Sequence, residues 1–167
     1  MELASRGFRN VPEKAGVYMI LWVKNRKPVT IQRIRGSDER GILYIGSAVN
    51  LRRRMRELWR SIQIVRRLKT YPEEHTFGAT LLYTGLHDVI ADQELYICFK
   101  VLNKQEAKKM EKEELLKYTR RYGEPPPLNL NIGRRYFMNL GALEHYTDKN
   151  NDDPINFWLS RSCEEIQ

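Results

Sequence analysis

The sequence predicts an α/β domain in which a small, mostly antiparallel sheet of three strands, or slightly more, is flanked by helices. Residues 16–23, GVYMILWV, and 42–46, ILYIG, are short apolar runs rich in β-formers and bounded by turn residues. From about Ala48 the apolar period becomes helical, and a second helical period opens after Asn103. At 167 residues the chain has room for one domain with a real core.

Taken in order, residues 16–23 form a buried strand, and the polar Lys24-Asn25-Arg26-Lys27-Pro28 a turn. VTIQRIR, 29–35, reads as a second and more exposed strand, 36–41 as a turn, and 42–46 as a third strand, so the first part predicts an antiparallel meander. In the first helix Leu51, Met55, Leu58, Trp59 and Ile62 share one face and Arg53, Arg56 and Arg60 the opposite one. The helix runs on through 64–68 and stops before Tyr71-Pro72. HTFGATLLY, 75–83, fits helix or strand. ELYICFKVL, 94–102, alternates Leu95, Ile97, Phe99 and Val101 on one side and reads as a central strand. Asn103 with Glu106 three residues on forms a capping box for a helix from 104 to about 121, closed by Gly123-Glu124-Pro125-Pro126-Pro127. The expected order is β-β-β-α-(α)-β-α. Residues 132–167 read as a C-terminal extension that packs on the same domain, with NFWLS near its end.

The charge is lopsided. Residues 1–70 hold 17 basic and 5 acidic side chains, and residues 71–167 hold 12 and 16. A basic half of this kind either attracts a polyanion, of which nucleic acid is the commonest, or is a solvated face. Cys98 and Cys163 are too few for a disulfide framework and lack metal-ligand spacing, which suits a reducing compartment. The start lacks the apolar run of a signal peptide, and no apolar stretch is long enough to span a bilayer, so a cytoplasmic protein is expected. His75, His87 and His145 stand apart, with no HExxH or CxxC spacing.

On the first helix, with Leu51 at zero, Arg54 falls at about 300°, beside Leu58 at about 340° and away from the outer arginines. An arginine at the border of the buried stripe either snorkels past the core or offers a constrained fork to one phosphate. On the second helix Met110, Glu111, Glu114, Leu115 and Tyr118 share the face of Ala107. A carboxylate there needs a partner or a metal. For Glu114 a salt bridge is the simpler reading; Glu111 stays open between a salt bridge and a ligand role. Tyr18 and Tyr44, in adjacent apolar runs, are core-edge aromatics or site residues.

In order along the chain, Gly16-Val17-Tyr18, Tyr44-Ile45-Gly46, Asn50-Leu51 with Arg54, Ala107-x-x-x-Glu111 and Pro126-Pro127-Leu128-Asn129 resemble the motif set of the GIY-YIG nuclease superfamily, including its ten-residue spacing from the second tyrosine to the arginine. The resemblance covers roughly residues 12–131 and implies a GIY-YIG-type domain at 1–131 with an insertion at about 24–40. It implies that Tyr18 and Tyr44 flank a scissile phosphate, that Arg54 contacts it, that Glu111 is the single protein ligand of one Mg²⁺ or Mn²⁺, and that Asn129 supports the site. Gly46 then permits close backbone approach, and Ser47, Arg52, Arg53, Arg56 and Arg60 are expected along the flanking phosphates.

The implied activity is metal-dependent hydrolysis of DNA phosphodiesters to 5′-phosphate and 3′-hydroxyl ends. The alternative is a catalytically silent nucleic-acid-binding module of the same fold. Tyr44, beside the arginine helix, is expected as the base or water-orienting group, its phenolate favoured by the nearby cations, with Tyr18 positioning the phosphate, and the reverse assignment stays open. DNA is the expected partner, and a dimer or two successive nicks would account for cutting both strands. The chain departs from the family pattern in its longer gap between the tyrosines, in Ser47 where relatives often carry lysine, and in a longer stretch before Asn129 that makes Asn131 a rival.

Overall fold

The structure, a computed structural model, describes residues 8–70, 72 and 76–129. Its strands are β1 (Gly16–Lys24), β2 (Lys27–Pro28), β3 (Ile31–Gln32), β4 (Ser37–Asp38), β5 (Ile42–Ala48) and β6 (Leu95–Val101). Its helices are α1 (Leu51–Leu68), α2 (Thr76–Tyr83), α3 (Leu86–Val89) and α4 (Lys104–Tyr122). This is a mixed α/β arrangement around a small antiparallel sheet, as predicted.

The order of strands differs from the expected meander. β1 lies in the middle, antiparallel to β5 on one side and to β6 on the other. β6, read from its alternation as central, therefore flanks β1. The expected strand at 29–35 is cut down to β3, Ile31–Gln32, outside the main sheet; ahead of it β2 pairs only with the end of β1, across a two-residue turn in which Asn25 and Arg26 take φ of 53° and 63°. The rest of the insertion folds into the short β3–β4 ribbon, a sheet of its own. HTFGATLLY resolves as helix α2 over 76–83, buried at Phe77 to Leu81 and thus apolar on most of its surface.

One face of the sheet, through Tyr18, Ile20, Leu43 and Ile97, packs with Leu51, Met55, Leu58 and Ile62 of α1 and Phe77 and Leu81 of α2. The other, through Met19, Leu21, Ile42 and Ile45, packs with Leu115, Tyr118 and Tyr122 of α4. A register shift between Ile20 and Leu21 leaves Leu43 unpaired with β1, so that Leu43 and Tyr44 both join the α1 side. β6 and α1 both close tightly on β1 at Gly16, where a Cβ would stand 2.3 Å from the Lys100 carbonyl oxygen and 2.7 Å from Leu51 Cδ1.

α1 starts where its cap requires: the Asn50 side chain accepts the Arg53 N–H at 2.9 Å, and its fully buried residues include Leu51, Met55, Leu58 and Ile62. α4 begins with the predicted box, Asn103 accepting from the Gln105 and Glu106 amides while Glu106 accepts from the Asn103 amide, and it ends on Gly123 at φ 78°. No helix among the described residues is long and apolar enough to cross a membrane. The expected extension at 132–167, Asn131, His75, His145 and Cys163 lie outside the described residues.

Candidate active site

Tyr18 on β1 stands directly opposite Gly46 on β5. Its ring is 1 % exposed and stacks on Tyr44, with centroids 6.1 Å apart and planes at 26°. Tyr44 is half-buried and turns its ring edge-on to Phe77 of α2 at 5.5 Å. Gly46 is what lets both phenols reach this point. A Cβ there would lie 2.8 Å from Tyr18 Cζ, from the Tyr18 hydroxyl and from Tyr44 Cε1.

Ser47, the next residue, points to the α4 side, where its hydroxyl donates to Glu111 Oε2 at 2.5 Å. Among the described residues this is the one hydrogen bond Glu111 takes. Ser47, expected to meet DNA, thus holds the carboxylate. Arg54, partly exposed on the first turns of α1, acts electrostatically on both phenols, as Glu111 does. Four elements therefore bring Tyr18, Tyr44, Gly46, Ser47, Arg54 and Glu111 into one electrostatic neighbourhood at the end of β5.

Burial is the main cause of a Tyr18 pKa well above the ordinary tyrosine value; Tyr44 and Glu111 add to it and Arg54 opposes it. Tyr44 is also raised, first by burial and then by Glu111, while hydrogen bonds from Thr76 and Tyr18 and the charge of Arg54 pull the other way. The expected lowering of Tyr44 by nearby cations is thus reversed, because burial and the facing carboxylate outweigh the guanidinium. Tyr44 is still the phenol with more contacts that favour its anion. Thr76, which supplies one of them, lies in the segment whose fold the sequence left open.

Asn129 serves the site from behind. Its Oδ1 accepts the Ile45 N–H at 2.9 Å and its Nδ2 donates to the Ile45 carbonyl at 2.8 Å, while the Leu128 amide donates to Leu43 O at 2.9 Å. The segment after α4 thereby fixes the outer edge of the strand that carries Tyr44 and Gly46.

The other arginines divide. Arg53, Arg56 and Arg60 lie on the exposed face as expected. Arg52 is placed differently: it donates to Val11 O at 2.7 Å, Arg9 O at 3.2 Å and Glu13 Oε1 at 2.5 Å, tying α1 to residues 9–13. Its partners are some forty positions away, beyond any local pattern. Glu114 is 2 % exposed and pairs with Lys117 at 3.1 Å, the simpler of its readings. Glu57, which sequence reasoning passed over, meets both Arg53 and Arg54.

No cluster of three or more His, Cys, Asp or Glu side chains among the described residues forms a metal cage. One partly buried carboxylate, with one oxygen steadied by a serine, instead suits a hard cation that keeps several waters and takes few protein ligands. No family model, curated protein or solved structure matches the chain.

Proposed function

We propose that this protein is a divalent-metal-dependent endonuclease of the GIY-YIG type that hydrolyses DNA phosphodiesters to 5′-phosphate and 3′-hydroxyl ends. The observation that carries this reading is the convergence of two stacked phenols, one guanidinium and one serine-held carboxylate around a glycine that has no room for a side chain. The motif resemblance and the basic first half of the chain support it, and the exposed Arg53, Arg56 and Arg60 suit flanking phosphates.

Arg54 neutralises the non-bridging oxygens of the scissile phosphate. Tyr44 is a neutral phenol at neutral pH, so its role is to orient the attacking water through its oxygen rather than to wait as a preformed phenolate. Tyr18, more deeply buried, fixes Tyr44 and the phosphate position. Glu111 would hold Mg²⁺ or Mn²⁺, which supplies Lewis-acid stabilisation of the departing oxygen when bound. Ser47 holds the Glu111 carboxylate at the end of β5, and Asn129 keeps β5 in place.

The test is cleavage of supercoiled plasmid with Mg²⁺, with Mn²⁺ and with chelator, by the wild type, Glu111→Ala and Arg54→Ala. Metal-dependent nicking or linearisation is expected, with a loss of about 10² to 10³ in rate for either variant. Retained turnover in a variant would remove that residue from the chemistry. Salt-sensitive binding without cleavage by the wild type would leave a binding module.

A further inference from the structure

Glu57 is the single acidic residue on α1, among seven arginines. Its two oxygens serve different partners: Oε1 lies 3.4 Å from Arg53 Nε and Oε2 lies 3.2 Å from Arg54 Nη1. Helix stability does not explain the arrangement. Both arginines precede the glutamate, the less favourable order for such pairs on a helix. The first turn carries three arginines and no acidic residue, which opposes the helix dipole where a carboxylate would have helped most. Partly exposed pairs of this kind contribute little to folding.

We infer that Glu57 is an internal stand-in for a DNA phosphate, occupying Arg53 and Arg54 in the free protein and giving them up when a backbone phosphate binds. The inference rests on the nuclease reading and adds to it the control of its arginine. One carboxylate whose two oxygens each meet a different guanidinium occupies donors that two non-bridging phosphate oxygens would use. The side chains of Glu57 and Arg54 are each 32 % exposed and Arg53 is 67 % exposed, so the exchange buries no abandoned charge. Arg52, with its donors fixed on backbone carbonyls of residues 9 and 11, has no comparable freedom. Once displaced, the Glu57 carboxylate faces an anionic duplex and opposes it. It therefore lowers affinity for stray anions and loose DNA, and selects for a phosphate that engages both arginines together.

The experiment measures binding of an end-labelled DNA duplex to full-length protein in chelator across a salt series, so that no cleavage is needed for the readout. Glu57→Gln, which keeps the side-chain shape and the helix propensity, is expected to tighten binding about three- to tenfold at low salt and to steepen the salt dependence by about one counterion. In an Arg54→Gln background the same change should gain less than about twofold, since a double-mutant cycle isolates the pair. Glu113→Gln, an exposed carboxylate on α4 that pairs with Lys109, makes the same change in net charge and should move binding by less than about twofold. Unchanged or weaker binding by Glu57→Gln, or an equal gain without Arg54, overturns the inference. The expected gain in a protein that never cleaves DNA would uphold it while rejecting the nuclease; no binding by either protein at low salt would overturn both.

Discussion

The two ends of β5 carry the same residue types, bonded to different extents. At the Ser47 end stand two tyrosines, an arginine and a carboxylate: Tyr18, Tyr44, Arg54 and Glu111. At the Ile42 end stand Tyr118, Tyr122, Arg40 and Asp38, again two phenols, a guanidinium and a carboxylate. Asp38 is fully buried and takes five hydrogen bonds, from the Arg40 amide at 3.0 Å, Arg40 Nε at 3.3 Å, the Ile42 amide at 3.1 Å, Tyr118 at 3.0 Å and Tyr122 at 3.4 Å. Arg33 and Arg40 lie over the Tyr118 and Tyr122 rings, and Arg33 also pairs with Glu124 and donates to Pro125 O. The acceptors at that end are used up internally, and the insertion is fastened to the end of α4. Among the described residues Glu111 takes one hydrogen bond, and it remains partly open. Residue type does not separate the two ends; the bonding capacity left over does.

The largest effect that would test this contrast is at the closed end. Asp38→Ala removes the acceptor that Arg40, the Ile42 amide and two phenols share and should destabilise the fold by about 3–5 kcal/mol in urea titrations, while under the proposed function the protein that stays folded cleaves at the wild-type rate. A lower rate in the folded fraction would show that the two ends are coupled. Gly46→Ala at the open end drives a Cβ into both phenols; a loss of about 10² in cleavage rate is expected from their displacement, with about 1–3 kcal/mol of destabilisation. Ser47→Ala should leave stability nearly unchanged and raise the Mg²⁺ concentration for half-maximal cleavage about tenfold. The smallest effect is in alkali. Tyr118 and Tyr122 are both raised above the ordinary tyrosine value, first by burial and then with Asp38 as a further cause, opposed by Arg33 and Arg40 respectively. Their contribution to stability is thus complete below about pH 10, the unfolded value, and is lost as the pH climbs from there toward the raised values. Urea midpoints should fall above about pH 10, and less steeply in a variant that lacks either phenol.

Local patterns were enough for the elements whose partners lie within them. The apolar stripe of α1, the Asn103–Glu106 box and the apolar runs of β1 and β5 were all legible in the sequence. Strand order was not, because the alternation in 94–102 reports which side of β6 is buried and nothing about how many neighbours it pairs with. The run at 29–35 shortened to Ile31–Gln32 because its one ladder, to Ser37–Asp38, is two residues long and Arg33 turns toward Tyr118 and Glu124. At the site, Tyr18, Tyr44, Arg54 and Glu111 were marked by the motif order and by their helix faces. The links that organise them were hidden: Ser47 to Glu111 spans 64 positions, and Asn129 to Ile45 spans 84.

That last link also sets a timetable. A domain made from its N-terminus has β1, β5 and α1 available early, yet among the described residues the outer edge of β5, which carries Tyr44 and Gly46, is clamped by residues 128 and 129. Closing so long a loop comes late in both synthesis and folding. A nascent or truncated chain ending before Asn129 would carry Tyr18, Tyr44, Arg54 and Glu111 without the brace on β5, so under the proposed nuclease function competence would come only once nearly all of the described fold has been made.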